Sequence, residues 1–279
     1  QYSLQSHPYT RNKAKSKGTG LSIFGLETGM KRDIFGRLIF IKKNCIRLFG
    51  IASYPRFNWK NTTDIQGSVR LTELPNQNVL FVSNHQTYFA DVALMAHAIN
   101  SAHHGRIDNV RYPGFFRPRL NLYFVAADET VQSGLLPRIM AYCGAVSVKR
   151  TWRKDGEDIQ RKVDPKDQDN IAKALADGWV ISFPQGTTKP FVPGRKGTAH
   201  MIKEYRPIVI PVVINGFRRA FDKKGLFIKK KGTTLSMWFK PVLDIDYDAP
   251  IEDILAQVMD GIEQSEAYNQ VPEPATEGK

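Results

Sequence analysis

Val79-Leu80-Phe81-Val82-Ser83-Asn84-His85-Gln86-Thr87-Tyr88-Phe89-Ala90-Asp91 is the stretch whose reading decides the fold of this chain. Four apolar residues without alternation read as a strand buried on both faces. That strand delivers Asn84 and His85 to a turn, and the turn feeds a helix expected over Val92–His103. Histidine is the side chain whose ordinary pKa lies nearest neutrality, which makes it the default general base. A nearby carboxylate, Asp91, can fix its tautomer and stabilise the imidazolium. The bland alternative is a surface histidine followed by an ordinary acidic N-cap. No G-x-S-x-G accompanies the pair and neither cysteine is close to it, so the reacting hydroxyl would belong to a substrate.

Outward from this stretch, the core alternates. Strands are expected at Val69–Leu71, Val79–Val82, Leu122–Ala126, Ala145–Lys149, Val180–Phe183 and Ile208–Ile214. Helices are expected at Val92–His103, Glu129–Tyr142, Gln168–Ala176 and Thr198–Tyr205. Strands separated by helices imply an α/β domain, with a mostly parallel central sheet flanked by helices. Leu226–Lys240 reads as a hairpin turning at Lys231-Gly232, and Ile251–Tyr268 as a helix before a frayed tail. The organisation expected is a basic arm and amphipathic helical segment over 1–60, an α/β domain over 61–250, and a C-terminal helix and tail over 251–279.

A second loop follows the Val180–Phe183 strand. Pro184-Gln185-Gly186-Thr187-Thr188-Lys189-Pro190 runs on through Gly194-Arg195-Lys196-Gly197 to the next helix. Glycines, hydroxyls and cations ahead of a helix suit an anion, through free N–H groups and the helix dipole. A solvated Gly/Pro loop is the other reading.

Taken together, four blocks resemble the lysophosphatidic acid acyltransferase (1-acylglycerol-3-phosphate acyltransferase) family and its glycerolipid acyltransferase relatives. Asn84-His85 to Asp91 is similar to the family's His-x4-Asp block. Gly144-Ala145-Val146-Ser147-Val148-Lys149-Arg150 is similar to the second, Phe183-Pro184-Gln185-Gly186-Thr187 to the Phe-Pro-Glu-Gly-Thr-Arg block, and Val209-Ile210-Pro211-Val212-Val213 to the fourth. The resemblance spans roughly residues 65–245. Two departures stand out. Five residues, Gln86–Ala90, separate His85 from Asp91, and one extra residue rotates a helical position by about 100°. Gln185 and Thr188 stand where the family has Glu and a phosphate-binding Arg, leaving Lys189, Arg195 or Lys196 to supply a cation.

The resemblance implies direct acyl transfer. His85 would deprotonate an acceptor hydroxyl, and that oxygen would attack the thioester of acyl-CoA or acyl-carrier protein. Donors near Gly186 and Thr187 would stabilise the oxyanion. The implied site is catalytic His85 and Asp91, with Asn84, Arg150, Gln185, Gly186, Thr187, Thr188, Lys189, Arg195 and Lys196 binding substrate. Neither a metal nor a redox cofactor is implied. The leading acceptor is lysophosphatidic acid. The altered third block keeps a lyso-aminolipid open, and a CoA-independent transacylase and a non-catalytic lipid-binding protein are the remaining alternatives.

Composition agrees. With 42% hydrophobic residues the chain can bury a sizeable core, and a net charge of +13 suits acidic partners. Acyl-CoA, acyl-carrier protein and an anionic membrane surface are all acidic; nucleic acid is not expected, because no nucleic-acid motif is present. Cys45 and Cys143 read as reduced thiols, consistent with a cytoplasmic face. No run of about 18 uncharged apolar residues is present to span a bilayer. Over 31–54, Ile34, Phe35, Leu38, Ile39, Cys45, Ile46 and Phe49 gather on one helical face, with Lys42 interrupting them. Arg37, Lys43, Asn44 and Arg47 gather opposite. A basic amphipathic helix of this kind reads as a peripheral or monotopic membrane element, or else as a helix packed on its own core. Arg218-Arg219 and Lys229–Lys231 read as solvated, and Phe115 and Phe116 as core residues or acyl-channel lining.

Overall fold

Val79–Ser83 forms the central strand, β2, and all five residues are buried. Its side chains alternate between two separate cores, Val79 and Phe81 on one face and Leu80 and Val82 on the other. That two-sided burial is why the run is apolar throughout. The structure, a computed structural model, describes residues 31–110, 114–132, 134–149, 153–154, 157–158 and 164–269. The expected N-terminal arm, Arg150 and the C-terminal tail lie outside these residues.

The strands are β1 (Thr62–Gln66), β2, β3 (Leu122–Ala127), β4 (Ala145–Val148), β5 (Arg153–Lys154), β6 (Glu157–Asp158), β7 (Trp179–Ser182), β8 (Ile208–Asn215) and β9 (Thr234–Phe239). Among the described residues, seven of them form one sheet in the order β1-β9-β8-β2-β7-β3-β4, while β5 and β6 make a small ribbon. Every neighbour in the large sheet is parallel except β8 and β9.

The helices are α1 (Ile39–Asn58), α2 (Ala90–His103), α3 (Asp128–Gln132), α4 (Leu135–Tyr142), α5 (Pro165–Asp177), α6 (Lys196–Tyr205), α7 (Phe217–Ala220), α8 (Ile251–Gly261) and α9 (Glu266–Asn269). Residues of α1, α2 and α7 fill one core, and residues of α5, α6 and α8 fill the other. The result is an α/β fold with a mostly parallel sheet flanked by helices. Both α1 and α8 belong to the same compact unit as the sheet.

Several expected elements differ, each for a local reason. Val69–Leu71 lies in a 3-10 turn, Ser68–Thr72, not a strand. Ser68 is held there by exchanging hydrogen bonds with Asp108, N to Oδ1 at 2.7 Å and Oγ from N at 2.6 Å. The expected hairpin over 226–240 is instead a single strand, β9, between β1 and β8. Edge strand β1 was missed because only Ile65 is buried, so it carries no apolar alternation. The 129–142 helix divides at Gly134, with Pro137 in the first turn of α4, where proline's missing N–H is tolerated. The 251–268 helix stops after Gly261, with Glu263 at φ 57° ending it.

Of the expected amphipathic stripe around α1, Ile46 and Phe49 line a cavity, whereas Ile34, ahead of the helix, is exposed. Lys42 is fully buried rather than interrupting a wet face. Its Nζ donates to Asp33 Oδ2 at 2.9 Å and lies 4.6 Å from the centroid of the Tyr123 ring. Burial pulls the Lys42 ammonium down and Asp33 opposes that shift. A second apolar stripe, Phe40, Ile41, Leu48 and Ile51, is left exposed, with Phe40 at 78% and Leu48 at 66%. Among the described residues no helix is long and apolar enough to cross a membrane.

Candidate active site

Neighbouring strands β2 and β7 end side by side, with Val82 level with Ser182, while β8, level with Val82 at Pro211, runs on to Asn215. The chain leaves β2 for α2 on one face of the sheet and leaves β7 for α6 on the other. Crevices open at such a divergence, outside the carboxyl ends of the strands. His85 follows β2, Phe183 to Gly186 follow β7, and Asn215 to Arg218 follow β8. Sequence alone therefore brings three loops to one crevice once the strand order is known.

His85 and Asp91 meet there despite the longer spacing. His85 Nδ1 is 3.0 Å from Asp91 Oδ2. The same oxygen accepts from Gln86 N at 2.6 Å and Thr87 N at 3.0 Å, and Oδ1 accepts from Thr87 Oγ1 at 2.6 Å. The turn thus wraps around the carboxylate, and helix α2 begins only at Ala90, so the additional residue is absorbed before helical geometry is imposed. With the carboxylate accepting three donors, the fourth contact is completed by a proton on Nδ1. Nε2 is left with its lone pair, and it has no hydrogen-bond partner among the described residues. The Phe183 ring stacks on the imidazole with centroids 3.9 Å apart and planes at 25°. Phe183 fixes the ring plane, a role its place in the third block did not reveal.

The turn is clamped from behind by residues 222–225. Tyr88 N donates to Lys223 O and Phe89 N to Lys224 O. Gly225, at φ 76°, comes so close that a Cβ there would lie 2.6 Å from Ala90 N and 2.8 Å from Thr87 Oγ1. Only glycine fits both the conformation and the approach.

Other residues expected to touch substrate are used differently. Asn84 is buried, and both ends of its amide are committed to Ile214: Nδ2 to the carbonyl at 2.9 Å and Oδ1 from the N–H at 2.8 Å. It ties the end of β2 to β8. Gln185 is also buried, its Nε2 donating to Val192 O at 3.0 Å and Gln264 Oε1 at 3.2 Å. It holds its own loop closed. Gly186 N–H is taken by Phe183 O, whereas Thr187 N–H has no partner among the described residues. Thr187 Oγ1 accepts from Lys189 N at 3.3 Å. Thr188 contributes its carbonyl to Arg218, at 3.1 Å from Nε and 2.8 Å from Nη2. Arg218, read as solvated, is half-buried and also reaches His85 O at 3.4 Å. It bridges the loops of the first and third blocks because β8 lies beside β2, a neighbourhood absent from the linear sequence. Thr187, Thr188 and Lys189 do not line the cavity; Arg150 lies outside the described residues.

A cavity of about 810 Å³ opens at His85. Its walls include Ile46 and Phe49 of α1, Val92, Ala93 and Ala96 of α2, Phe115, and Phe124 of β3. Gly186, Arg195 and Lys196 line it ahead of and at the start of α6, and Lys149 lines it just after β4. Lys196 also pairs with Glu252, Nζ to Oε1 at 2.5 Å, and Lys149 with Asp164 at 2.8 Å. Phe115 is a cavity wall, whereas Phe116 is exposed. Cys45 and Cys143 are free, and burial pushes the Cys143 thiol up to about 12, which makes it a poor nucleophile. Among the described residues no cluster of three His, Cys, Asp or Glu could hold a metal ion.

A carboxylate-oriented histidine facing a largely apolar cavity can deprotonate a hydroxyl of a substrate that brings a hydrocarbon chain. The comparisons with known proteins bear on that chemistry. No curated protein matches the chain. Among solved structures, the 1-acyl-sn-glycerophosphate (LPA) acyltransferase PlsC from Thermotoga maritima is similar at 16% identity, with a TM-score of 0.48 over 80% of this chain and 78% of that one. The family model described as Acyltransferase matches residues 63–215, more than half of the 279 residues and the whole span from β1 to the end of β8. The chain belongs to the acyltransferase family.

Proposed function

We propose that this acyltransferase moves a fatty acyl chain from acyl-CoA or acyl-carrier protein to a lysolipid hydroxyl, with 1-acylglycerol-3-phosphate as the leading acceptor. The observation that carries this reading is the Asp91-held His85, its Nε2 unpaired, on the wall of a cavity that is apolar over most of its surface and basic where α6 begins. His85 Nε2 takes the proton of the acceptor hydroxyl as that oxygen attacks the thioester carbon. Asp91 stabilises the imidazolium that forms. The first turn of α6, whose Lys196, Gly197 and Thr198 line the cavity, supplies dipoles for the oxyanion. Collapse expels the thiolate, which takes the proton back from the imidazolium. Cations at Arg195, Lys196 and Lys149 complement an anionic head group. A lyso-aminolipid is the second reading, favoured by Gln185 and Thr188 standing where relatives of this type carry Glu and Arg. Thiol release from acyl-CoA, followed with a panel of lysolipids, is expected to be fastest with lysophosphatidic acid. Faster release with a lyso-aminolipid would reverse the order, and no release with any hydroxyl acceptor would sink both readings.

The acceptor resides in a bilayer, and the exposed stripe Phe40, Ile41, Leu48 and Ile51 is the face we assign to the membrane surface. Burying one large apolar side chain is worth about 1.5 to 3 kcal/mol. Leu48→Glu together with Phe40→Glu is expected to move the protein from anionic vesicles to the supernatant in a sedimentation assay, without lowering its melting temperature. Undiminished vesicle binding would place the membrane contact elsewhere.

A further inference from the structure

The cavity contains polar groups that acyl transfer does not use. One face of α2 lines it continuously, from Val92, Ala93 and Ala96 on to His97 and Asn100. His97 lies about 9 Å along the helix axis beyond Asp91, from six residues at 1.5 Å each. Both His97 and Asn100 are buried, at 5% and 3% exposure. The rings of Tyr54, Phe57 and Phe115 surround His97.

The proton positions follow from the contacts. Ser53 Oγ lies 2.7 Å from Phe49 O and 2.9 Å from His97 Nε2. A hydroxyl has one hydrogen and a carbonyl can only accept, so Ser53 donates to Phe49 and accepts from His97 Nε2–H. In neutral imidazole the other nitrogen, Nδ1, is then an acceptor, and it has no partner among the described residues. Burial pushes His97 down to about 4, so the ring is neutral near pH 7. Asn100 uses its Oδ1 to accept from Arg119 N at 2.8 Å, and its Nδ2 has no partner among the described residues. Residues three apart on a helix share a face. The cavity wall therefore presents an unmet acceptor on His97 and an unmet donor on Asn100 side by side, with Ser53 and Arg119, whose buried Nε also has no partner among the described residues, as the polar lining next to them. Buried polar groups are almost always paired, and an unpaired couple calls for a ligand.

We propose that His97 and Asn100 form a polar subsite that binds a hydroxyl group borne on the hydrocarbon chain being transferred. The inference rests on the reading that this cavity takes the acyl chain. A hydroxyl is the group that satisfies both partners, donating to His97 Nδ1 and accepting from Asn100 Nδ2–H. A ketone would leave Nδ1 unpaired, and an unsubstituted chain would leave both. The distance along α2 sets the hydroxyl well down the chain, away from the thioester.

The test uses the full chain, one lysolipid acceptor, and acyl-CoA donors of one chain length. One donor is unsubstituted, and the others carry a hydroxyl at successive positions. The wild type is expected to prefer one hydroxyl position over the unsubstituted chain by about tenfold in kcat/KM, from two hydrogen bonds of ordinary net strength. His97→Phe and, separately, Asn100→Leu are expected to abolish that preference while still turning over the unsubstituted donor. No preference at any position in the wild type, alongside normal transfer of the plain chain, overturns the subsite and leaves the acyl-transfer reading standing. A preference that survives in both variants also overturns it. Absence of transfer from every donor overturns the acyl-transfer reading, and the subsite with it.

Discussion

His85→Ala is expected to fold normally and to lose acyl transfer by about 10² to 10⁴-fold, the ordinary contribution of a positioned general base. The fold should survive because Asp91 keeps three other donors, Gln86 N, Thr87 N and Thr87 Oγ1. The imidazole faces the cavity rather than the core, so its removal enlarges a space already present. Loss should fall on kcat rather than on acceptor KM, since the proton transfer occurs in the transition state. A folded variant with near-normal turnover would remove His85 from the mechanism.

Asp91 should behave differently, because its carboxylate serves both structure and chemistry. Asp91→Ala strands two backbone N–H groups, the Thr87 hydroxyl and His85 Nδ1 in a fully buried pocket. Each unmet buried group costs about 1 to 3 kcal/mol, and these losses share one site, so they will not add fully. The total is still a large share of a typical stability of about 5 to 15 kcal/mol. A marked drop in melting temperature is expected. Asp91→Asn separates the two roles. One oxygen, Oδ2, serves Gln86 N, Thr87 N and His85 Nδ1 alike, so an amide oxygen in that place keeps the turn closed and the proton on Nδ1, and only the negative charge is lost. The imidazolium formed in the transition state then lacks its counter-charge, so activity should fall while the fold is kept. The double variant should be little worse than either alone. Full activity in a stable Asp91→Asn variant would show that the carboxylate's charge is not used in the reaction.

Local sequence was informative where one element carried its own signal. The uniform apolar run of β2 and a helix start within two residues of Ala90 were legible because burial on both faces and the turn chemistry leave direct traces in residue type. The four blocks located the site loops through their resemblance to the glycerolipid acyltransferases. Side-chain partners were not legible in that way. Asn84 bonds Ile214, 130 positions away, and Arg218 bonds Thr188 and His85 O, 30 and 133 positions away. Polar residues near a catalytic motif read equally well as substrate ligands or as struts between strands.

By itself the sequence determined the α/β class and the parallel core strands. These follow from hydrophobic period and short-range turn geometry, which act over a few residues. Only the tertiary structure decided which of the two apolar stripes of α1 faces the protein, that Lys42 is neutralised inside by Asp33, and that β1 and β9 complete the sheet. It also decided that Arg218 clamps the crevice and that His97 and Asn100 meet in one cavity wall. Each depends on which strands and helices become neighbours, a choice made by the global burial of apolar surface rather than by any local pattern.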